Sequence, residues 1–336
     1  MSGDRTGHIV ADAHSASDTS DPQQDAEFWF EDGSIVLIAQ DIAFRVHRGV
    51  LSRHSEVFRD LLKVPGKQEE KFGCPFVHLS DSPADLRSLL RVLYDGAVSH
   101  LDLETPLEFA EVATLVRLSH KYGIKSLLEK GLARLKTVFT KGFSTWESLH
   151  CTGSFIEISV MSPFLKAQPE DAIAVVRLAR LTGALTMLPT ALFVCCSLEP
   201  TVLTRAYTLS DGSNNQLSLQ DLERCMRAAP ILSSSFQTRH TLLHLETSPQ
   251  CENHRYTPCS SRLARQLKIY FESNTVTCLN VLHGRQSSIR DSGVCGACQT
   301  FIQKKDRERG QKYWADLPSY FGLGTWGGLS DFPIEH

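Results

Sequence analysis

Phe30-Glu31-Asp32-Gly33-Ser34-Ile35-Val36-Leu37-Ile38-Ala39, then Gln40-Asp41, then Ile42-Ala43-Phe44-Arg45-Val46-His47-Arg48-Gly49-Val50-Leu51, is the stretch whose reading decides the fold. Ile35 to Ala39 is a short apolar run rich in β-branched side chains. After a turn at Gln40-Asp41, Ala43 to Val46 alternates polar and apolar. Two strand signals with so short a connection read as a β-hairpin. Ser55-Glu56-Val57-Phe58 follows, with Ser55 a helix N-cap and Val57, Phe58, Leu61 and Leu62 on one apolar face.

Working outward, Lys63 to Gly73 is polar, carries Pro65 and Gly66, and reads as a loop before a third strand, Pro75 to Leu79. Ser82-Pro83 opens a helix through Leu86, Leu89, Leu90 and Leu93. Thr105-Pro106-Leu107-Glu108 has the form of a capping box. Two helices follow it, Phe109 to Tyr122 and Ile124 to Phe139, broken at Gly123. Residues 26–140 therefore read as an α+β domain, a small β-sheet capped by short helices. Upstream, residues 1–25 hold almost nothing large and apolar, so they read as a disordered tail. The fold is expected to begin at Phe28-Trp29-Phe30.

Residues 141–336 read as a mainly α-helical C-terminal region. Pro169 opens one helix. Met187 to Ser197 is almost wholly apolar and reads as a buried one. Ser218 and Asp221 begin another, expected to run to Arg227 and stop at Pro230. Arg262 to Glu272 is amphipathic, Phe301 to Trp314 is highly charged, and the Gly-rich segment after Phe321 reads as irregular.

Composition limits the function. The 336 residues carry 35 basic and 38 acidic side chains, a formal net charge of −3, which gives no electrostatic footprint for nucleic acid. No apolar run approaches the ~20 residues of a membrane span. Neither a secretory leader nor an N-x-S/T acceptor is found, so the ten cysteines are expected in a reducing, intracellular setting, cytoplasmic or nuclear.

The hairpin segment, the Phe44-Arg45-Val46-His47-Arg48-Gly49-Val50-Leu51 strand end and Ser55-Glu56-Val57-Phe58 together resemble the opening of a BTB/POZ domain. Leu79-Ser80-Asp81, Leu93-Tyr94-Asp95-Gly96 and Ala113…Leu118…Lys121-Tyr122 are similar to that family's later segments. The rest resembles the C-terminal part of BTB proteins common in mushroom-forming (basidiomycete) fungi, through Cys295-x-x-Cys298 and Trp314-Ala315-Asp316-Leu317-Pro318. The resemblance implies a non-catalytic scaffold or adaptor that contacts other proteins and forms a homodimer. Phe28, Trp29, Phe30, Asp32, His47 and Arg48 are the expected interface, with Asp32 and Arg48 at positions that form a charged groove in some members. His47 is read as a local strand-end contact. The alternative is a substrate adaptor of a cullin-type ubiquitin ligase. Against it, Leu62 to Glu70 lacks the apolar residue two positions before Glu69 and Glu70 that the family's cullin-binding element carries.

Cys251-x7-Cys259 and Cys295-Gly296-Ala297-Cys298 are the sharpest chemical signal. A Cys-x-x-Cys knuckle places two thiolates where they share a tetrahedral Zn²⁺ with Zn–S of ~2.3 Å, and the first pair completes the set. His254 competes with Cys259 as fourth ligand. Ordinary reduced thiols and a redox dithiol remain the other readings. One structural zinc is the only cofactor expected. Cys74, Cys151, Cys195, Cys196, Cys225 and Cys278 read as core residues. Gly322-x-Gly324-x-x-Gly327 matches a dinucleotide fingerprint only as a string, because no strand precedes it and no helix follows. No nucleophile elbow, P-loop or H-E-x-x-H string anchors an enzyme reading.

Overall fold

The structure is a computed structural model, and it describes residues 21–62, 70–95, 101–150, 162–204, 207–208, 214–253, 258–272, 282 and 292–331. Most of the expected N-terminal tail lies outside the described residues. The chain divides into two compact units, Met1–Arg48 with Gly66–Pro83, and Gly49–Pro65 with Ala84–His336.

The first unit is a five-stranded sheet in the order β1-β3-β2-β5-β4, formed by β1 (Gln23–Trp29), β2 (Ile35–Ala39), β3 (Ile42–Val46), β4 (Glu70–Lys71) and β5 (Cys74–Leu79). β2 and β3 form the expected hairpin, registered Ile35 to Val46, Leu37 to Phe44 and Ala39 to Ile42. All five residues of β2 are buried, because it is a central strand covered on both faces; hence the apolar run without alternation. β1 starts at Gln23, inside the stretch expected to be disordered, and runs parallel to β3 with a register shift between Gln24 and Trp29. That irregularity and its polar composition hid the strand. The buried Asp25 carboxylate accepts from the N–H groups of Glu27 and Phe28, at 3.0 and 2.9 Å. Gly33 is required at the turn, since a Cβ there would lie 2.8 Å from Arg45 Cγ and 2.9 Å from the Phe30 carbonyl oxygen.

The second unit is mainly helical. α1 (Arg48–His54) leads to α2 (Glu56–Leu61), whose N-cap Ser55 accepts from the Phe58 N–H at 2.9 Å, as its sequence predicts. The same hydroxyl donates to the Tyr122 carbonyl at 2.5 Å, and the Phe58 ring stacks on Tyr122 with centroids 4.5 Å apart. α3 (Pro83–Tyr94), α4 (Phe109–Lys121) and α5 (Lys125–Leu135) follow, with the expected break at Gly123. The capping box at Thr105 is not formed: Glu108 is the N-cap of α4 and makes no side-chain cap bond. The backbone there has other partners. Leu107–Glu108 (β6) pairs in parallel with Leu165–Lys166 (β7), and the buried Arg134 guanidinium donates to the carbonyls of Thr105 and Phe164, both at 2.6 Å, and to those of Leu101 and Asp102.

Beyond α6 (Phe143–His150), a short 3-10 turn at Pro169–Asp171 opens α7 (Ala172–Thr182). α8 (Leu188–Cys196) is buried at all nine positions, in line with its almost wholly apolar sequence. After α9 (Pro200–Thr204) and a small hairpin of β8 (Tyr207–Thr208) and β9 (Asn214–Asn215) come α10 (Leu219–Leu245), α11 (Cys259–Glu272) and α12 (Gly296–Tyr320). α10 does not stop at Pro230 but carries it inside the helix. A helix-interior proline costs ~3 kcal/mol, and α10 beyond it buries Leu232, Phe236 and Arg239. Arg239 meets Asp306 of α12 at 2.6 Å with both side chains almost wholly out of water.

The Gly-rich C-terminal segment is also more ordered than expected. α12 ends in a Schellman turn: Leu323 N–H bonds the Pro318 carbonyl, Gly322 N–H bonds that of Ser319, and Gly322 takes φ +63°. The turned chain lays Trp326 on Trp314, centroids 5.3 Å apart and 17° between planes, and Trp326 Nε1–H donates to the Trp314 carbonyl at 2.7 Å. Asp331 accepts from Thr186 N–H and Oγ1–H and lies 2.9 Å from Lys136 Nζ. Gly322 thus serves a helix cap.

Removing one partner of a buried pair leaves the other charge uncompensated, at a cost of about 3–5 kcal/mol. Denaturant unfolding of Asp306→Asn is expected to show that loss. Lys305→Gln, which breaks an exposed pair with Glu308 on the same helix, is expected to change stability by less than about 0.5 kcal/mol.

Candidate metal centre and interaction surface

The four expected cysteines converge. The Sγ atoms of Cys251, Cys259, Cys295 and Cys298 all lie within 4.8 Å of one another, with Cys251 and Cys295 4.0 Å apart. Three segments bring them together. Cys251 closes a turn in which its N–H bonds the Ser248 carbonyl at 3.0 Å, Cys259 is the first residue of α11, and Cys295 and Cys298 sit at the N-cap and in the first turn of α12. Arg262 on α11 donates to the Gly293 carbonyl and ties α11 to the turn before Cys295. Val294, Leu263 and Ile302 form an apolar wall, with Cys295 and Phe301 partly buried against it.

The sulfurs meet backbone donors and burial in unequal measure. Ser248 N–H points at Cys298 Sγ at 3.4 Å, and Cys295 N–H at Cys259 Sγ at 3.3 Å. Backbone N–H groups of Glu252 and then Cys298 lower the Cys295 thiol to about 6. Burial acts the other way on its neighbours, pushing Cys298 up to about 12 and Cys259 upward. Two helix N-termini, of α11 and α12, add positive dipole ends. Four thiolates in so small a volume repel unless a cation lies among them. A tetrahedral metal with M–S of ~2.3 Å needs sulfurs ~3.8 Å apart, so these positions require only a small contraction. The residues present fit a thiophilic dication.

Ser248 and Glu252, whose backbone faces the sulfurs, were missed from sequence; the only hint was the Ser248-Pro249 turn signal just before Cys251. His254, Cys151 and Cys278 lie outside the described residues. Cys74, Cys195, Cys196 and Cys225 are buried, as read, and burial pushes the Cys195 thiol well up.

The expected interface residues occupy the sheet unit. Phe28 is buried, while Trp29 and Phe30 are half-buried. Trp29 meets Phe72 edge-on at 5.1 Å, and Phe30 lies 5.0 Å from the His47 ring. His47 Nε2 is 3.1 Å from Asp32 Oδ1, a local contact at the end of β3. Arg48 N–H bonds Ser34 Oγ at 3.0 Å. Residues 63–69, where a cullin-binding element would sit, lie outside the described residues.

Residues 31–137 match the BTB/POZ domain family and form a BTB/POZ domain, followed by a mostly helical region. Domains of this family are generally protein-interaction modules and generally non-catalytic. No curated protein matches the chain. Among the described residues, no helix is long and apolar enough to cross a membrane.

The hydrogen bond with His47 holds the Asp32 carboxyl below its ordinary 3.8. Such a depressed group stabilises the fold above its unfolded-state pKa, and the contribution fades as pH falls through the lower folded value. A carboxyl NMR titration is expected to place the Asp32 midpoint below that of a free aspartate, and His47→Ala to move it back up.

Proposed function

We propose that this chain is a non-catalytic scaffold or adaptor: its BTB/POZ domain pairs with a second copy and contacts other proteins, and one structural zinc fastens its helical region. The BTB/POZ domain at residues 31–137 carries the interaction reading. Half-buried Trp29 and Phe30, the Asp32–His47 pair and the nearby Arg48 supply the mixed apolar and charged surface that such pairing uses. The cysteine-rich segment and the Trp314 to Pro318 motif fit the type found in BTB proteins of basidiomycete fungi.

Sedimentation velocity of the full chain at micromolar concentration is expected to give a dimer. Phe30→Asp combined with Arg48→Glu is expected to give a monomer with unchanged circular dichroism. A wild-type monomer would overturn the pairing.

The zinc reading rests on the four converging sulfurs. Thiolate ligands in tetrahedral array select zinc over hard cations, and binding at a site absent from the unfolded chain becomes folding energy. Elemental analysis of protein purified under reductant is expected to show one zinc per chain, absent in Cys298→Ser. Chelation is expected to cost the helical region about 3 kcal/mol or more, the effect of losing a ligand held at ~100 times its dissociation constant. Iron in place of zinc, or no stoichiometric metal, would overturn this part.

A further inference from the structure

We propose that the four-cysteine centre is a peroxide-sensitive fastener, in which oxidation joins Cys295 to Cys251 and expels the metal. The inference rests on the zinc reading of the same residues and adds its regulation. Cys251, Cys259 and Cys298 are buried, whereas Cys295 is half-exposed, so a small oxidant in solution meets the Cys295 sulfur first. Cys251 Sγ stands 4.0 Å from it, and a disulfide forms with an approach of about 2 Å, since its sulfurs are ~2.05 Å apart. Cys259 and Cys298 also lie within 4.8 Å, but each of those sulfurs accepts from a backbone N–H, of Cys295 and Ser248. Cys251 and Cys295 also lie on segments 44 residues apart, so the bond is not confined to one helical turn.

The chemistry balances with hydrogen peroxide as the two-electron oxidant. The Cys295 thiolate attacks one peroxide oxygen, an S–O bond forms, the O–O bond breaks, and hydroxide leaves. The Cys251 thiolate then attacks that sulfur; the S–S bond forms, the S–O bond breaks, and a second hydroxide leaves. Both hydroxides take a proton from solvent and end as water. The two sulfurs are oxidised and the peroxide is reduced. Only Cys259 and Cys298 remain as thiolate donors, too few for a closed tetrahedral site, and the dication departs. The wall of Leu263, Val294 and Ile302 then loses its fastening.

The test uses the full chain, reduced and with its metal counted before peroxide is added. A chromogenic chelator reads metal release, and mass spectrometry after alkylation maps the disulfide. The expected result is loss of one zinc per chain together with a Cys251–Cys295 disulfide, reversed by dithiothreitol and added zinc. Cys295→His, which keeps a Cys₃His ligand set, is expected to hold zinc and not release it. If that variant fails to load, the wild-type disulfide map decides. Zinc retained under peroxide, or a Cys295–Cys298 disulfide instead, overturns the fastener and leaves the zinc reading standing. Reduced protein without zinc overturns both.

Discussion

Arg239 and Asp306 face each other with side chains 2% and 4% exposed, and the guanidinium also reaches the Asp306 carbonyl at 3.0 Å. Charges so far from water persist only when each meets its partner, which pins α10 to α12 at one register. Arg224 bonds the carbonyls of Phe321 and Gly322 at one end, and Ser248 reaches Cys298 at the other. The order of these contacts makes the two helices antiparallel. α10, about 40 Å long at 1.5 Å per residue, therefore separates two fastenings, the cysteine centre past its C-terminus and the Arg224 contact with the turn after α12 near its start.

The hairpin was legible because a central strand and its neighbour leave a pattern that local chemistry can read: an apolar run at Ile35 to Ala39, an alternation, and a two-residue turn. Ser55 was legible for a similar reason, since an N-cap acts within one turn. The errors share a different cause. Pro230 should end a helix by local rules, but the packing of Leu232, Phe236 and Arg239 outweighs it. Thr105 should close a capping box, but Leu107 and Glu108 pair as a strand with Leu165 and Lys166, and the helix starts only at Phe109. In each case a long-range partner overrode a short-range preference.

The cysteine centre was half legible. Spacing singled out the Cys-x-x-Cys knuckle, and its pairing with Cys251 and Cys259 followed from the ligand count a tetrahedral ion demands. What spacing could not show is how the site tolerates negative sulfur, because the donors from Ser248 and Cys295 are backbone groups with no side-chain signature. Phe28 lies in β1 beside β3, and the irregular register of that strand hides its burial from periodicity.

The C-terminal segment has a bearing on how the chain is made. Asp331 is bonded to Thr186 across 145 residues, and Trp326 covers a Trp314 face whose other neighbours include Trp146 and Phe143. At a synthesis rate of ~5–20 residues per second, the partner for Thr186 emerges roughly 7–30 s after Thr186 itself. During that interval the helical unit carries an uncovered aromatic face and an unfilled polar seat. The final consolidation of this unit therefore waits for residues made well after Thr186.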